Sequence, residues 1–153
     1  MPQKPSKNAK NGKHAANGRL IKELNNALGW ELRASAMYAH YAAYVQGLAS
    51  LPLEEHFEEE STESMGHAKK VRDIISELGA EAVTDRDPTP IVHTLDANVM
   101  LEEALKTESA AAEQYAKLVQ MVKGQARYFH SLLHIMMDEE KAVVEAEKLL
   151  ERS

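Results

Sequence analysis

Four long stretches of this 153-residue chain repeat their apolar residues in steps of three and four, and three short interruptions separate them. Such steps follow the 3.6-residue period of an α-helix, not the alternation of a strand. The first seam runs Ile21, Leu24, Leu28, Glu31, Ser35, Tyr38, Ala42, Val45. The second runs Leu53, Phe57, Glu60, Ser64, His67, Val71, Ile74, Leu78. The third includes Leu101, Leu105, Glu108, Ala111, Tyr115, Leu118 and Val122, and the fourth Tyr128, Leu132, Ile135, Glu139, Ala142, Ala146 and Leu149. The spacing predicts helices over 20–47, 53–78, 95–123 and 126–151. Pro52 suits a first helical turn, and Gly79 and Gly124 suit helix ends.

The interruptions fix the topology. The first and third are a few residues long, so each joins antiparallel neighbours. The middle one, 80–94, holds Pro88 and Pro90 and lacks helical period. At ~3.3 Å per residue it reaches roughly 50 Å, more than the roughly 37 Å of a 25-residue helix. It can therefore cross the whole assembly and leave the second and third helices parallel. The expected fold is all-α, a four-helix bundle of two antiparallel hairpins joined by one long crossover.

Charge is unevenly distributed over this frame. Residues 1–18 are rich in Lys, Asn and Gly without apolar period, and are expected to be a disordered basic tail beside a bundle over 19–153. Lys4, Lys7, Lys10, Lys13 and Arg19 give the first twenty residues a charge of +5, and 13 basic against 24 acidic residues leave the remainder at −11. A basic arm attracts polyanions and an acidic body attracts cations. No cysteine is present, which excludes disulfides, thiolate catalysis and iron–sulfur clusters. No apolar run approaches a membrane span and the N-terminus lacks an apolar signal core, so no membrane association and a cytoplasmic location are expected.

Ionisable residues belong on the outside of a bundle, yet every seam here carries one. Glu31 lies on the first, Glu60, Ser64 and His67 on the second, Glu108 on the third and Glu139 on the fourth. Except for Glu60, each sits within about one turn of its helix midpoint at 1.5 Å per residue. Antiparallel packing then gathers Glu31, Ser64, His67, Glu108 and Glu139 at one level of the core. No Lys or Arg lies on the seams to neutralise the carboxylates. Buried carboxylates cost several kcal/mol each unless paired or protonated, and a cation supplies the pairing. Carboxylate with imidazole is a ligand set for iron, manganese or zinc. Glu60, a turn above this level, is a candidate accessory ligand. The acidic run Glu54, Glu55, Glu58, Glu59, Glu60, Glu63 is read either as an interior surface that guides cations or as a plain solvated face.

At these residues the chain resembles the ferritin-like superfamily, bacterioferritin most closely. LNNALGWELRASAMYAHYA around Glu31 is similar to the family's first metal helix. FEEESTESMGHAKK with His67 is similar to the second, LKTESAAAEQY with Glu108 to the third, and IMMDEEKAVVEAE with Glu139 to the fourth. The resemblance implies an iron-binding protein that oxidises ferrous iron and stores it, ferroxidase-like if active, with no catalytic residues beyond the metal ligands. The family carries Glu-x-x-His on both the second and fourth helices. Here Ser64 replaces that Glu, which bridges two metals in the family, and Ala142 replaces the fourth-helix His. Glu31, His67 and Glu139 remain for one metal, and Glu108 with a share of Glu139 for a second. The implied centre is thus a degenerate di-metal site, mononuclear or mixed in its metal. Glu63 is a candidate substitute ligand if a π-bulge beside Gly66 turns it inward.

The resemblance carries other expectations. Met65 matches the methionine that ligates haem across a two-fold interface, and Tyr38 a tyrosine beside the metals. A homo-oligomer is implied, from a dimer to a shell. The sequence ends at Ser153 without the short fifth helix of the bacterioferritin shell, so the size stays open. Two alternatives stand beside iron storage. One is a DNA-binding protective shell like the mini-ferritins, with non-specific DNA contact through residues 1–19. The other is a haem-carrying structural subunit that co-assembles with a related active subunit. His130 and His134 share a helix face and are read as a surface metal pair or as solvated residues.

Overall fold

The computed structural model describes the backbone of residues 7–151 and the side chains of 17–151. Among them are four helices, α1 (Lys7–Tyr44), α2 (Ser50–Glu77), α3 (Ala97–Met121) and α4 (Ala126–Glu151). α1 begins at Lys7, inside the stretch expected to be a tail. Residues 1–6, and the side chains of Lys4, Lys7, Lys10 and Lys13, lie outside the described residues. Local chemistry accounts for the helix boundaries. Gly47 takes φ 100° between α1 and α2. Gly79 takes φ 75° just after Leu78, the C-cap of α2, a conformation open to glycine at little cost. Asp96 caps α3 by accepting the Asn98 N–H at 2.8 Å.

The crossover lies along α1 and takes its polar groups from it. Asn25 donates to the Glu81 carbonyl at 3.1 Å and accepts the Val83 N–H at 2.9 Å. Further along, the Asp87 N–H reaches the Gly29 carbonyl at 2.9 Å. Arg33 donates to the Thr89 and Pro90 carbonyls, both at 2.9 Å, and the Tyr41 hydroxyl to the Val92 carbonyl at 2.9 Å. The partners advance in step along both segments, so the crossover runs in the direction of α1. It delivers the chain to the far end of the bundle, where α3 starts. The expected topology follows: α1 antiparallel to α2, α3 antiparallel to α4, and α2 parallel to α3.

Two apolar clusters fill the interior. One gathers Leu24, Leu28, Val71, Ile75, Leu118, Leu132 and Ile135. The other gathers Met37, Tyr41, Leu53, Phe57, Met100 and Leu101. Burial of these side chains, worth ~1.5–3 kcal/mol each, drives the assembly. No described helix is long and apolar enough to cross a membrane.

Candidate metal centre

Polar side chains interrupt this core. Glu31, His67, Glu108 and Glu139 are all buried, and one donor atom each of Glu31, His67 and Glu139 lies within 4.8 Å of the other two. Each arrives by its seam position: α1 supplies Glu31, α2 His67, α3 Glu108 and α4 Glu139. His67 Nδ1 stands 3.0 Å from Glu139 Oε1 and 3.4 Å from Glu31 Oε1. Glu108 adjoins Glu139 within hydrogen-bonding range. Two tyrosines close the set. Tyr38 donates to Glu108 at 2.5 Å and Tyr115 to Glu31 at 2.9 Å.

Protons balance the charges when the donors face only one another. Burial alone would lower the His67 pKa, but hydrogen bonds to Glu139 and Glu31 and their negative charge raise it to about 11. Burial pushes Glu139 up to about 7 against the pull of its hydrogen bonds with Glu108 and His67. Glu108 is raised by burial and by its hydrogen bond to Glu139, so it is the carboxyl that keeps its proton. Burial likewise raises Tyr38 and Tyr115, which stay neutral donors. The one buried guanidinium among the described residues, Arg33, is spent on the crossover carbonyls.

Ser64 and Ala142 are buried, so both face the core, where they offer a hydroxyl and a methyl in place of strong donors. α2 is α-helical through Gly66 without a π-bulge, and Glu63 does not turn inward. It approaches the other ring nitrogen instead. His67 Nε2 lies 3.7 Å from Glu63 Oε1 and 3.0 Å from Asp138 Oδ2, and these three form a second, half-exposed donor group. Glu60 is buried on the same face of α2, and burial with the charges of Glu108, Glu63 and Glu145 pushes it up to about 8. It stands in a third donor group with His56 and Glu145. Sequence reasoning missed Asp138 as a neighbour of His67, Tyr115 as a donor to Glu31, and the pairing of His56 and Glu145 with Glu60.

The remaining expectations fall outside the centre. Met65 is 46% exposed on α2. His130 and His134 are exposed, and neither belongs to a three-donor group among the described residues. On the opposite side α1 and α3 part around a cavity of about 630 Å³. Trp30, Ala34, Ala111 and Gln114 line it, and it opens onto Glu31, Glu108 and Glu139. Small reactants thus have a route to the donors.

Comparison with known proteins agrees with this geometry. The model of the ferritin-like domain family matches residues 21–153. A ferritin-like diiron-carboxylate protein from Bacillus anthracis str. Ames has 28% identity, with 88% of this chain and 97% of that one covered and a TM-score of 0.84. A dodecameric thioferritin, the bacterioferritin-related protein of Bacteroides fragilis, has 25% identity, 88% and 86% coverage and a TM-score of 0.83. The bacterioferritin of Rhodobacter capsulatus, solved with a metal-free dinuclear site and haem iron, has 26% identity, 88% and 84% coverage and a TM-score of 0.79. A search of curated proteins finds no match.

Proposed function

The chain belongs to the ferritin-like domain family, and from that premise we propose that it binds iron inside the bundle, oxidises the ferrous form and stores the product within an oligomer. One observation carries the reading: Glu31, His67 and Glu139 bring donor atoms within 4.8 Å of one another in the core. Two carboxylates and an imidazole fit iron by donor chemistry. Ferrous iron is the substrate, and its electrons pass to dioxygen or peroxide admitted through the α1–α3 cavity. Glu31, His67 Nδ1 and Glu139 hold the ion, and Glu108 borders it.

The protein's own part is proton management. His67 gives up its Nδ1 proton and Glu108 its carboxyl proton as a cation enters, while Tyr115 and Tyr38 hold Glu31 and Glu108 in place. With Ser64 and Ala142 in the core, a second ion keeps only Glu108 and a share of Glu139. The centre is therefore mononuclear, or binds a second metal weakly, and turns over more slowly than a full two-iron site. The relative described as a diiron-carboxylate protein supports the chemical class, and the one described as dodecameric supports assembly into an oligomer. A bundle over 19–153 with a basic segment over 1–18 remains part of this proposal, although α1 already starts at Lys7 within that segment.

A haem subunit is the second reading, favoured by the outward position of Met65 and by the relative solved with haem iron. A Soret band that disappears in Met65→Ala tests it. The iron reading is tested by adding ferrous iron to metal-free protein, following oxygen uptake by stopped flow, and measuring iron retained on a sizing column. Iron-dependent uptake with co-eluting iron is expected. No uptake and no retained iron would refute it.

A further inference from the structure

About two turns along α2 from His67 lies a separate set of donors. His56 and Glu60 are four residues apart on one face of α2, and Glu145 meets them from α4. One donor atom of each lies within 4.8 Å of the other two. Glu60 sets this group apart from an ordinary acidic surface. It is 8% exposed, and among the described residues its carboxylate accepts no hydrogen bond and forms no ion pair. The other buried carboxylates all have protein partners: Glu31 has Tyr115 and His67, Glu108 has Tyr38, and Glu139 has His67. A buried carboxylate beside a second acid keeps its charge at a cost unless a cation joins it, and otherwise takes up a proton, the direction in which burial already pushes Glu60.

We propose that His56, Glu60 and Glu145 form a second divalent-cation site, distinct from the centre around His67. Bonds of about 2.1 Å to a shared ion place donor atoms ~3–4 Å apart, a contraction that small side-chain rotations supply. One imidazole with two carboxylates selects a first-row transition ion over calcium or magnesium, which take oxygen donors. The exposed Glu54, Glu55, Glu58 and Glu59 on the same helix raise the local cation concentration. Glu63 stands on α2 between Glu60 and His67 and touches His67 Nε2 at 3.7 Å. A cation held at Glu60 is thus one carboxylate away from the central donors. The binding itself needs nothing from the central site.

The test uses the full chain, stripped of metal and titrated with Co²⁺. Stoichiometry is read by native mass spectrometry and the visible cobalt bands. Glu60→Gln preserves shape and removes a buried charge, and His56→Ala removes a half-buried imidazole. Circular dichroism checks that both variants keep the fold. Each is expected to lose one equivalent of cobalt and to retain the equivalent that His67→Ala loses. If both bind as much cobalt as the unmodified chain, the proposal is overturned. If they lose an equivalent while His67→Ala loses none, the site at Glu60 stands and the central metal reading falls.

Discussion

Tyr38 on α1 donates its hydroxyl to Glu108 on α3 across 2.5 Å. The bond has a counterpart, because Tyr115 on α3 donates to Glu31 on α1 at 2.9 Å. In each helix the tyrosine follows its glutamate by seven residues, two turns on the same face. The two antiparallel helices therefore clasp each other's acids crosswise. A buried hydrogen bond of this kind is worth about 1–2 kcal/mol. Tyr38→Phe and Tyr115→Phe are each expected to lower the melting temperature of the metal-free protein by roughly 2–8 °C. Thermal unfolding by circular dichroism measures it, and two unchanged midpoints would show that the clasp contributes nothing.

His67 is the cation of the metal-free core. Replacing it by alanine leaves Glu31 and Glu139 buried without their partner, which costs about 3–5 kcal/mol. His67→Ala is expected to unfold well below the parent and to lose the central metal equivalent. His67→Gln, which can still donate to one carboxylate, is expected to recover part of the stability but not the metal. Calorimetry and metal analysis read the two effects separately. A His67→Ala protein as stable as the parent would contradict the buried charge network.

The pH dependence has a definite sign. Glu139 is raised from 4.5 to about 7 and Glu60 from 4.5 to about 8, so the folded state holds their protons more tightly than the unfolded chain. Stability from these two is present below 4.5 and is lost as pH rises through 7 and 8. His67, raised from 6.5 to about 11, contributes fully below 6.5 and loses its contribution as pH climbs toward 11. All three therefore destabilise the metal-free protein on the alkaline side. Its melting temperature is expected to fall between about pH 5 and about pH 9, and added metal to restore more of it at the higher pH, because cations and protons compete for the same donors. A midpoint that is flat or rises over that range in the metal-free protein would contradict the protonated core.

The seams made the bundle and the central donors legible, because helical period places Glu31, His67, Glu108 and Glu139 inward whatever the loops do. Ser64 and Ala142 were readable for the same reason. What period cannot give is which side chains meet across helices. Asp138 sits beside Glu139 off the seam, yet across the α2–α4 contact it lies 3.0 Å from His67 Nε2. Arg33 lies off the α1 seam and is nevertheless buried, because carbonyls more than fifty positions away in the crossover accept its hydrogen bonds. Arg33→Met is expected to leave the helices intact and to speed amide exchange across residues 87–93. Equal exchange rates in parent and variant would mean that Arg33 does not anchor the crossover.

The two departures from the family pattern provide a last prediction. Ser64 and Glu139 are corresponding positions of the repeated Glu-x-x-His motif, as are His67 and Ala142, so the chain keeps one half of a two-fold arrangement. Ser64→Glu would return the carboxylate that α2 lacks, and Ala142→His the imidazole that α4 lacks. Both positions face the core, so the new groups are expected to enter it. Packing added atoms there costs about 1–3 kcal/mol, and a fourth carboxylate at the centre, beside Glu31, Glu108 and Glu139, makes the metal-free double variant less stable still. Metal reverses that cost. The double variant is expected to bind one more equivalent of iron than the parent and to consume oxygen faster, with the largest metal-induced rise in melting temperature of any variant named here. If iron content and oxygen uptake match the parent, the missing donors are not what limits the centre.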